Sequence, residues 1–293
     1  MRAAQGERGS DPLRLWQDAE IAGWNSSGRA CPVESTCVDV HGINTHFLTA
    51  GAGAPMVLVH GGGSGAVAWS SIIPRLARRF RVIAPDVVGF GATDKPRGPY
   101  DRRYFASWLS GFLDALSLGR AALVGHSLGG AIALQLALDH PSRIDRLALV
   151  SPAGLGWNLP PAPLFRSVVF QVAPGETTAR RMHTTFVENP TTLHDGLLRY
   201  AAEVCRARGG RRPALHGNVK AVIPFRDAQL SRLRVPSLVI WGANDRVFSA
   251  ERGARAARAL PDARLRIIEG AGHIPFYDQP DAVVGCLLEF LEV

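Results

Sequence analysis

Lysine is almost missing from this chain: Lys95 and Lys220 are the only two among its 33 Lys and Arg residues. Cysteine is sparse too, at positions 31, 37, 205 and 286, and that spacing matches no zinc pattern. Cys31 and Cys37 are close enough in sequence to bridge in an oxidising compartment, but four separate reduced thiols is the plainer expectation. No apolar run reaches the roughly 18 residues that a membrane-spanning helix needs. Met1 to Gly28 is polar and lacks an apolar leader core, which predicts a cytoplasmic protein. No Walker loop follows a strand, and no G-x-G-x-x-G does either, so neither a metal nor a cofactor is expected. Nucleic-acid motifs are absent as well, despite a formal net charge of +8. The basic balance therefore reads as solvated surface or as attraction for a small anionic substrate.

What is present is a chain of 293 residues, 46% hydrophobic and 20% charged, the composition of a soluble globular protein. Residues 1–37 show no sustained periodicity and are expected to form an extension, partly ordered at best; Leu13, Trp16, Ile21 and Trp24 suit one short helix. From Val38 the pattern becomes regular. Val38–Val40 and His46–Ala50 read as an antiparallel hairpin. Apolar runs at 56–59, 81–84, 121–124, 147–150, 237–241 and 264–268 then read as buried strands. They alternate with helical stretches at 68–79, 104–116, 128–139, 250–260 and 282–291. This alternation predicts an α/β fold with a mostly parallel central sheet and helices on both faces. Between 155 and 232 the strands stop, and the segment reads as a helical cap inserted into a core of residues 38–154 and 233–293. The cap holds ten arginines and Lys220 against five acids, a charge suited to carboxylates, although solvated surface is again the plainer reading.

The chemistry concentrates at Gly125-His126-Ser127-Leu128-Gly129-Gly130, between a predicted strand and a predicted helix. Glycines two residues either side leave room for a serine on a tight turn, its hydroxyl near a helix N-terminus that can stabilise an anion. A serine hydroxyl is a poor nucleophile alone; it needs a base, and the base needs an acid to fix its tautomer. Asp245 follows the strand at 237–241 and His273 follows the strand at 264–268, so both belong at the same sheet edge as Ser127. The expected oxyanion donors are the N–H of Leu128 and that of Gly62, in the glycine run after the strand at 56–59. Each such donor is typically worth about 3 kcal/mol. Asp86 reads as structural, holding its turn through Gly89 and Gly91. Candidate pocket residues are His126, Trp157 and Phe186, with Trp69, Phe165 and Phe170 as further aromatics.

With these pieces in order, residues 38–293 resemble the α/β-hydrolase superfamily. The resemblance rests on His60-Gly61-Gly62-Gly63, on Asp86-Val87-Val88-Gly89-Phe90-Gly91, on the serine turn, on Gly242 to Asp245 and on Gly270-Ala271-Gly272-His273. It implies a Ser127–His273–Asp245 triad. The stretch from His60 to Ala66, with Trp69, is similar to the meta-cleavage-product hydrolases, which cut carbon–carbon bonds in vinylogous diketo acids. Two positions depart from that group: His126 stands where Asn is usual, and Ile274 where Trp is usual. Both departures resemble general esterases and lactonases. Hydrolysis of a small-molecule ester or lactone is thus the first expectation and carbon–carbon cleavage the second. A non-catalytic small-molecule binder on the same fold is a third.

Overall fold

A computed structural model describes residues 12–26, 31–155, 161–210, 213 and 220–292. Eight strands form one sheet: β1 (Val33–Val40), β2 (Ile43–Ala50), β3 (Pro55–Val59), β4 (Arg81–Pro85), β5 (Ala121–His126), β6 (Ile144–Val150), β7 (Ser237–Gly242) and β8 (Ala263–Ile268). Their order is β1-β2-β4-β3-β5-β6-β7-β8. The first two pairings, β1 with β2 and β2 with β4, are antiparallel. All the others are parallel. The strands in the middle of the sheet are near-continuous apolar runs because helices cover both of their faces. In β5 all six residues are buried.

The helices are α1 (Pro12–Ser26), α2 (Ile73–Leu76), α3 (Arg102–Ala115), α4 (Leu128–Asp139), α5 (Pro161–Val172), α6 (Glu176–His183), α7 (Asp195–Arg206), α8 (Asp227–Leu230), α9 (Ala250–Ala259), α10 (Pro275–Asp278) and α11 (Pro280–Leu291). Asp101 caps α3 by accepting from Tyr104 N at 2.9 Å. Residues 128–137 of α4 are all buried, which is why that helix is apolar on every side. Helices α5 to α8 fall between β6 and β7, the stretch where the sequence lacks a strand pattern.

Two expectations change. The single helix expected over 68–79 is instead a 3-10 turn at Ala66–Trp69 followed by the short α2. Pro74 is the reason: it has no N–H to give, and its ring crowds the carbonyl four residues earlier. The hairpin is also longer than its apolar pattern suggested, with β1 reaching back to Val33 and pairing it with Ala50. Residues 33–37 therefore belong to the sheet. Ahead of them, α1 buries Leu13, Gln17 and Ile21. Cys31 and Cys37 are not joined in a disulfide. The Sγ of Cys37 accepts from Arg14 at 3.2 Å. No helix among the described residues is long and apolar enough to cross a membrane.

The sheet order sets the place where a ligand can reach. After β3 the chain moves outward to β4, then jumps back across β3 to β5. The loops leaving β3 and β5 diverge at that switch and open a crevice at the strands' carboxyl ends.

Candidate active site

Val59 and Gly125 are paired across β3 and β5, so the glycine loop after β3 and the turn after β5 emerge side by side. At that turn Ser127 holds φ 49° and ψ −116°, a rare backbone state for a residue with a side chain. Such strain costs on the order of 1–3 kcal/mol and persists only when the surroundings enforce it. The enforcement is close packing: a Cβ on Gly129 would lie 2.0 Å from the Val59 carbonyl oxygen, and one on Gly125 would lie 2.5 Å from that of Gly129. Ser127 occupies the N-cap position of α4, yet its side chain makes no capping bond. Its hydroxyl is instead 3.1 Å from His273 Nε2.

The rest of the chain of contacts follows from the loops after β7 and β8. His273 Nδ1 is 2.9 Å from Asp245 Oδ2. The Asp245 side chain is 0% exposed and that of His273 5%. Asp245 Oδ1 accepts from the N–H groups of Val247 at 2.8 Å and Phe248 at 2.9 Å, an Asx turn that fixes the carboxylate. A carboxylate only accepts, so Nδ1 carries the proton, and in neutral His273 the Nε2 lone pair faces the serine hydroxyl. The structure thus brings together three predicted residues from three separate loops. The arrangement can draw a proton from Ser127 and stabilise the imidazolium that results.

Gly62 and Leu128, the expected anion donors, both line the cavity that contains Ser127. Leu128 begins α4, where N–H groups and the helix dipole favour negative charge. The glycine loop is braced from behind by His60. Its Nδ1–H donates to Gly61 O at 2.7 Å and its Nε2 accepts from Val87 N at 2.9 Å. Burial lowers the pKa of this imidazole, so it stays neutral in both contacts.

Asp86 is fully buried and structural, but it acts through Ala66 and Ala92 rather than through the two glycines. Its carboxylate accepts from Ala66 N at 2.6 Å, Ala92 N at 2.7 Å and His46 Nδ1 at 2.9 Å. Burial alone would raise its pKa; the His46 and His60 rings and the Ala66 N–H outweigh that and hold it well below the usual carboxylate range. Gln17 of α1 joins this cluster, donating from Nε2 to Asp86 Oδ2 at 3.0 Å and to the Tyr200 hydroxyl at 2.9 Å. Through it α1, the glycine loop and α7 share one buried polar node. Sequence reasoning did not find Gln17 or Tyr200, and no local pattern marks either.

A second unforeseen brace is Asp278. Its carboxylate accepts from Gly272 N, Glu188 N and Asn189 N, each at 2.9 Å. One side chain therefore ties the His273 loop to the segment after α6. The Phe186 carbonyl adds to this by accepting from Ile274 N at 3.0 Å. His126 packs its ring 5.1 Å from that of His273, and its Nε2–H donates to the His273 carbonyl at 3.0 Å. Burial and the neighbouring His273 push the His126 pKa well below the usual value.

The cavity above Ser127 measures about 300 Å³. Its walls include His126, Leu164, Phe186, Tyr200, Phe248 and Ile274. Among the described residues that line it there is no lysine, arginine or carboxylate. The described arginines of the segment between β6 and β7 are exposed, several of them in surface ion pairs such as Arg199–Glu176 and Arg206–Glu203. Of the aromatic candidates, Phe186 and His126 line the cavity. Trp69 and Phe170 are buried elsewhere, Phe165 is exposed, and Trp157 lies outside the described residues.

Comparison with known proteins gives the same lineage. A model of the alpha/beta hydrolase family matches residues 56–285. A 2-hydroxy-6-oxo-2,4-heptadienoate hydrolase of Pseudomonas putida is 33% identical over 260 residues, 85% of this chain and 93% of that protein. The solved structure of a 2-hydroxy-6-oxo-6-phenylhexa-2,4-dienoate hydrolase from a Rhodococcus strain superposes with a TM-score of 0.82 at 27% identity, covering 90% of this chain and all of the other. A carboxylesterase from Bacillus subtilis shares the fold, with a TM-score of 0.83 at 24% identity over 95% of this chain and 98% of its own. The chain belongs to the α/β-hydrolase family.

Proposed function

We propose that this protein is a serine hydrolase that cleaves an uncharged small-molecule ester or lactone. Ser127 attacks the substrate carbonyl while His273 Nε2 takes its proton. Asp245 holds the ring in the required tautomer and faces the positive charge that develops. The carbonyl oxygen, now negative, rests on the N–H groups of Leu128 and Gly62. His273 then protonates the leaving alcohol, and an acyl-enzyme on Ser127 remains. Water enters, gives a proton to His273 and attacks the acyl carbon; the bond from that carbon to Ser127 Oγ then breaks, His273 returns the proton to Oγ, and the acid is freed. The helices between β6 and β7 act as the cap that walls the pocket.

The observation that carries the reading is the unbroken line from Ser127 through His273 to Asp245, beside a pocket with no described charged wall. Uncharged walls favour an uncharged substrate, because a buried carboxylate with no partner costs several kcal/mol or more. The relatives support a second reading, carbon–carbon hydrolysis of a vinylogous diketo acid by the same three residues, with ketonisation before cleavage.

The test compares kcat/KM on short p-nitrophenyl esters with kcat/KM on a vinylogous diketo acid. Faster turnover of the esters is expected; turnover confined to the diketo acid overturns the ranking. A fluorophosphonate probe should label the wild type and leave Ser127→Ala unlabelled. If neither is labelled, the protein is a binder rather than an enzyme.

A further inference from the structure

Six large apolar side chains stand exposed among the described residues, and four of them share one twelve-residue helix, α5. They are Leu164 at 48%, Phe165 at 69%, Val168 at 50% and Val172 at 71% exposure. Positions 164, 168 and 172 are four apart and Phe165 sits beside them, so they form one continuous arc of the helix. The arc is not needed to hold α5 in place. Phe170, on the opposite side, is buried in a cluster with Ala179 and Met182 of α6 and Leu198 of α7. Leu164 and Val168 also line the cavity over Ser127. The apolar surface thus runs without a break from the cavity wall to the outside of the molecule.

The charge that α5 itself carries has one sign. Helix α5 carries no acidic residue. Arg166 of α5 and Arg181 of α6 are both exposed, and Arg166 Nη1 donates to the Arg181 carbonyl at 3.2 Å. The nearby acids Glu176, Asp195 and Glu203 are each paired with another arginine. A bare apolar arc on a helix whose only charged residue is an exposed arginine has the form of an interfacial helix, whose apolar side enters acyl chains while arginines meet anionic headgroups.

We infer that α5 docks this protein onto an anionic lipid surface, with the mouth of the cavity facing that surface. Docking stands on the exposed arc and its arginines. A consequence for substrate, that the cleaved esters carry apolar chains drawn from the lipid phase, rests on the serine-hydrolase reading above.

The test uses the full chain carrying Ser127→Ala, sedimented with phosphatidylcholine vesicles containing about 30 mol% phosphatidylglycerol, and with phosphatidylcholine alone. Binding is expected on the anionic vesicles and should weaken with salt. Adding Phe165→Ser and Val172→Ser should cut it by at least about tenfold. Neither residue lines the cavity, so the same pair in the Ser127 background should leave turnover of p-nitrophenyl acetate unchanged. Equal sedimentation of the variant, or no binding by the parent chain, overturns the inference. A dimer in light scattering that the two substitutions split, without vesicle binding, assigns the arc to self-association and overturns it too. Because vesicle binding is read without catalysis, it can succeed even if ester hydrolysis fails.

Discussion

Replacing Asp245 by asparagine tests the proposed chemistry at its most constrained point. The two groups are nearly the same shape, so the loop has little reason to move. Asp245 Oδ1 receives N–H bonds from both Val247 and Phe248, and only an oxygen can take that place. The asparagine amide must therefore turn its NH₂ toward His273 Nδ1, 2.9 Å away in the wild type. Nδ1 then has to accept, and in the neutral ring the proton moves to Nε2. That proton faces Ser127, so the imidazole can no longer take the serine's own. A wrong-tautomer substitution of this kind lowers kcat by about 10⁴-fold, a barrier increase of about 5.4 kcal/mol. Two backbone bonds to a neutral oxygen replace two to a charged one, a stability loss of about 1–2 kcal/mol. Steady-state hydrolysis of p-nitrophenyl butyrate, together with urea unfolding, separates these effects. Fluorophosphonate labelling should slow in step with kcat. An Asp245→Asn enzyme that keeps kcat within about tenfold of the wild type refutes the tautomer argument and, with it, the role given to Asp245.

Gly129→Ala should cost about 3 kcal/mol or more, seen in a lower denaturation midpoint, because its Cβ would sit 2.0 Å from the Val59 carbonyl oxygen. Asp278→Ala strips the acceptor from three backbone N–H groups and frees the His273 loop from the segment after α6. A stability loss of about 2–3 kcal/mol and a roughly tenfold fall in kcat are expected, read by unfolding and steady-state kinetics. His60, His126 and His183 are all lowered in pKa by burial and stay neutral in the fold. The unfolded chain binds their protons near pH 6.5, so stability should fall as pH drops below that value, by up to about 1.4 kcal/mol per pH unit for each group. His126→Asn keeps an N–H for the His273 carbonyl and removes one of the three. Urea unfolding at two pH values should show a correspondingly smaller slope, and an unchanged slope would count against a neutral His126.

Much of this was written in the local chain. Apolar runs bounded by glycine and proline mark each parallel strand, and the serine turn is legible because its glycines are required by contact within a few residues. Ser127, His273 and Asp245 could be named because each follows a strand, and parallel strands deliver their carboxyl ends to one edge. The break at 68–79 was legible in principle as well, since Pro74 forbids a continuous helix. Gln17, Asp278 and Tyr200 were not. Each acts on atoms dozens of residues away, and no spacing along the chain records such a meeting. The arginines between β6 and β7 are a related case: composition counts them but does not say which way they face, and the described ones are exposed, as the plainer reading of the charge expected.

The sequence by itself determined most of the strands, the order of the sheet-edge loops and the candidate residues Ser127, Asp245 and His273, because these depend on periodicity and on neighbours a few positions apart. Only the tertiary structure decided that the described pocket walls carry no charge, that Asp278 ties the His273 loop to the inserted helices, and that α5 leaves an apolar arc outside. Those outcomes depend on which surfaces remain uncovered once distant segments have packed, a property of the folded whole that no stretch of chain holds alone.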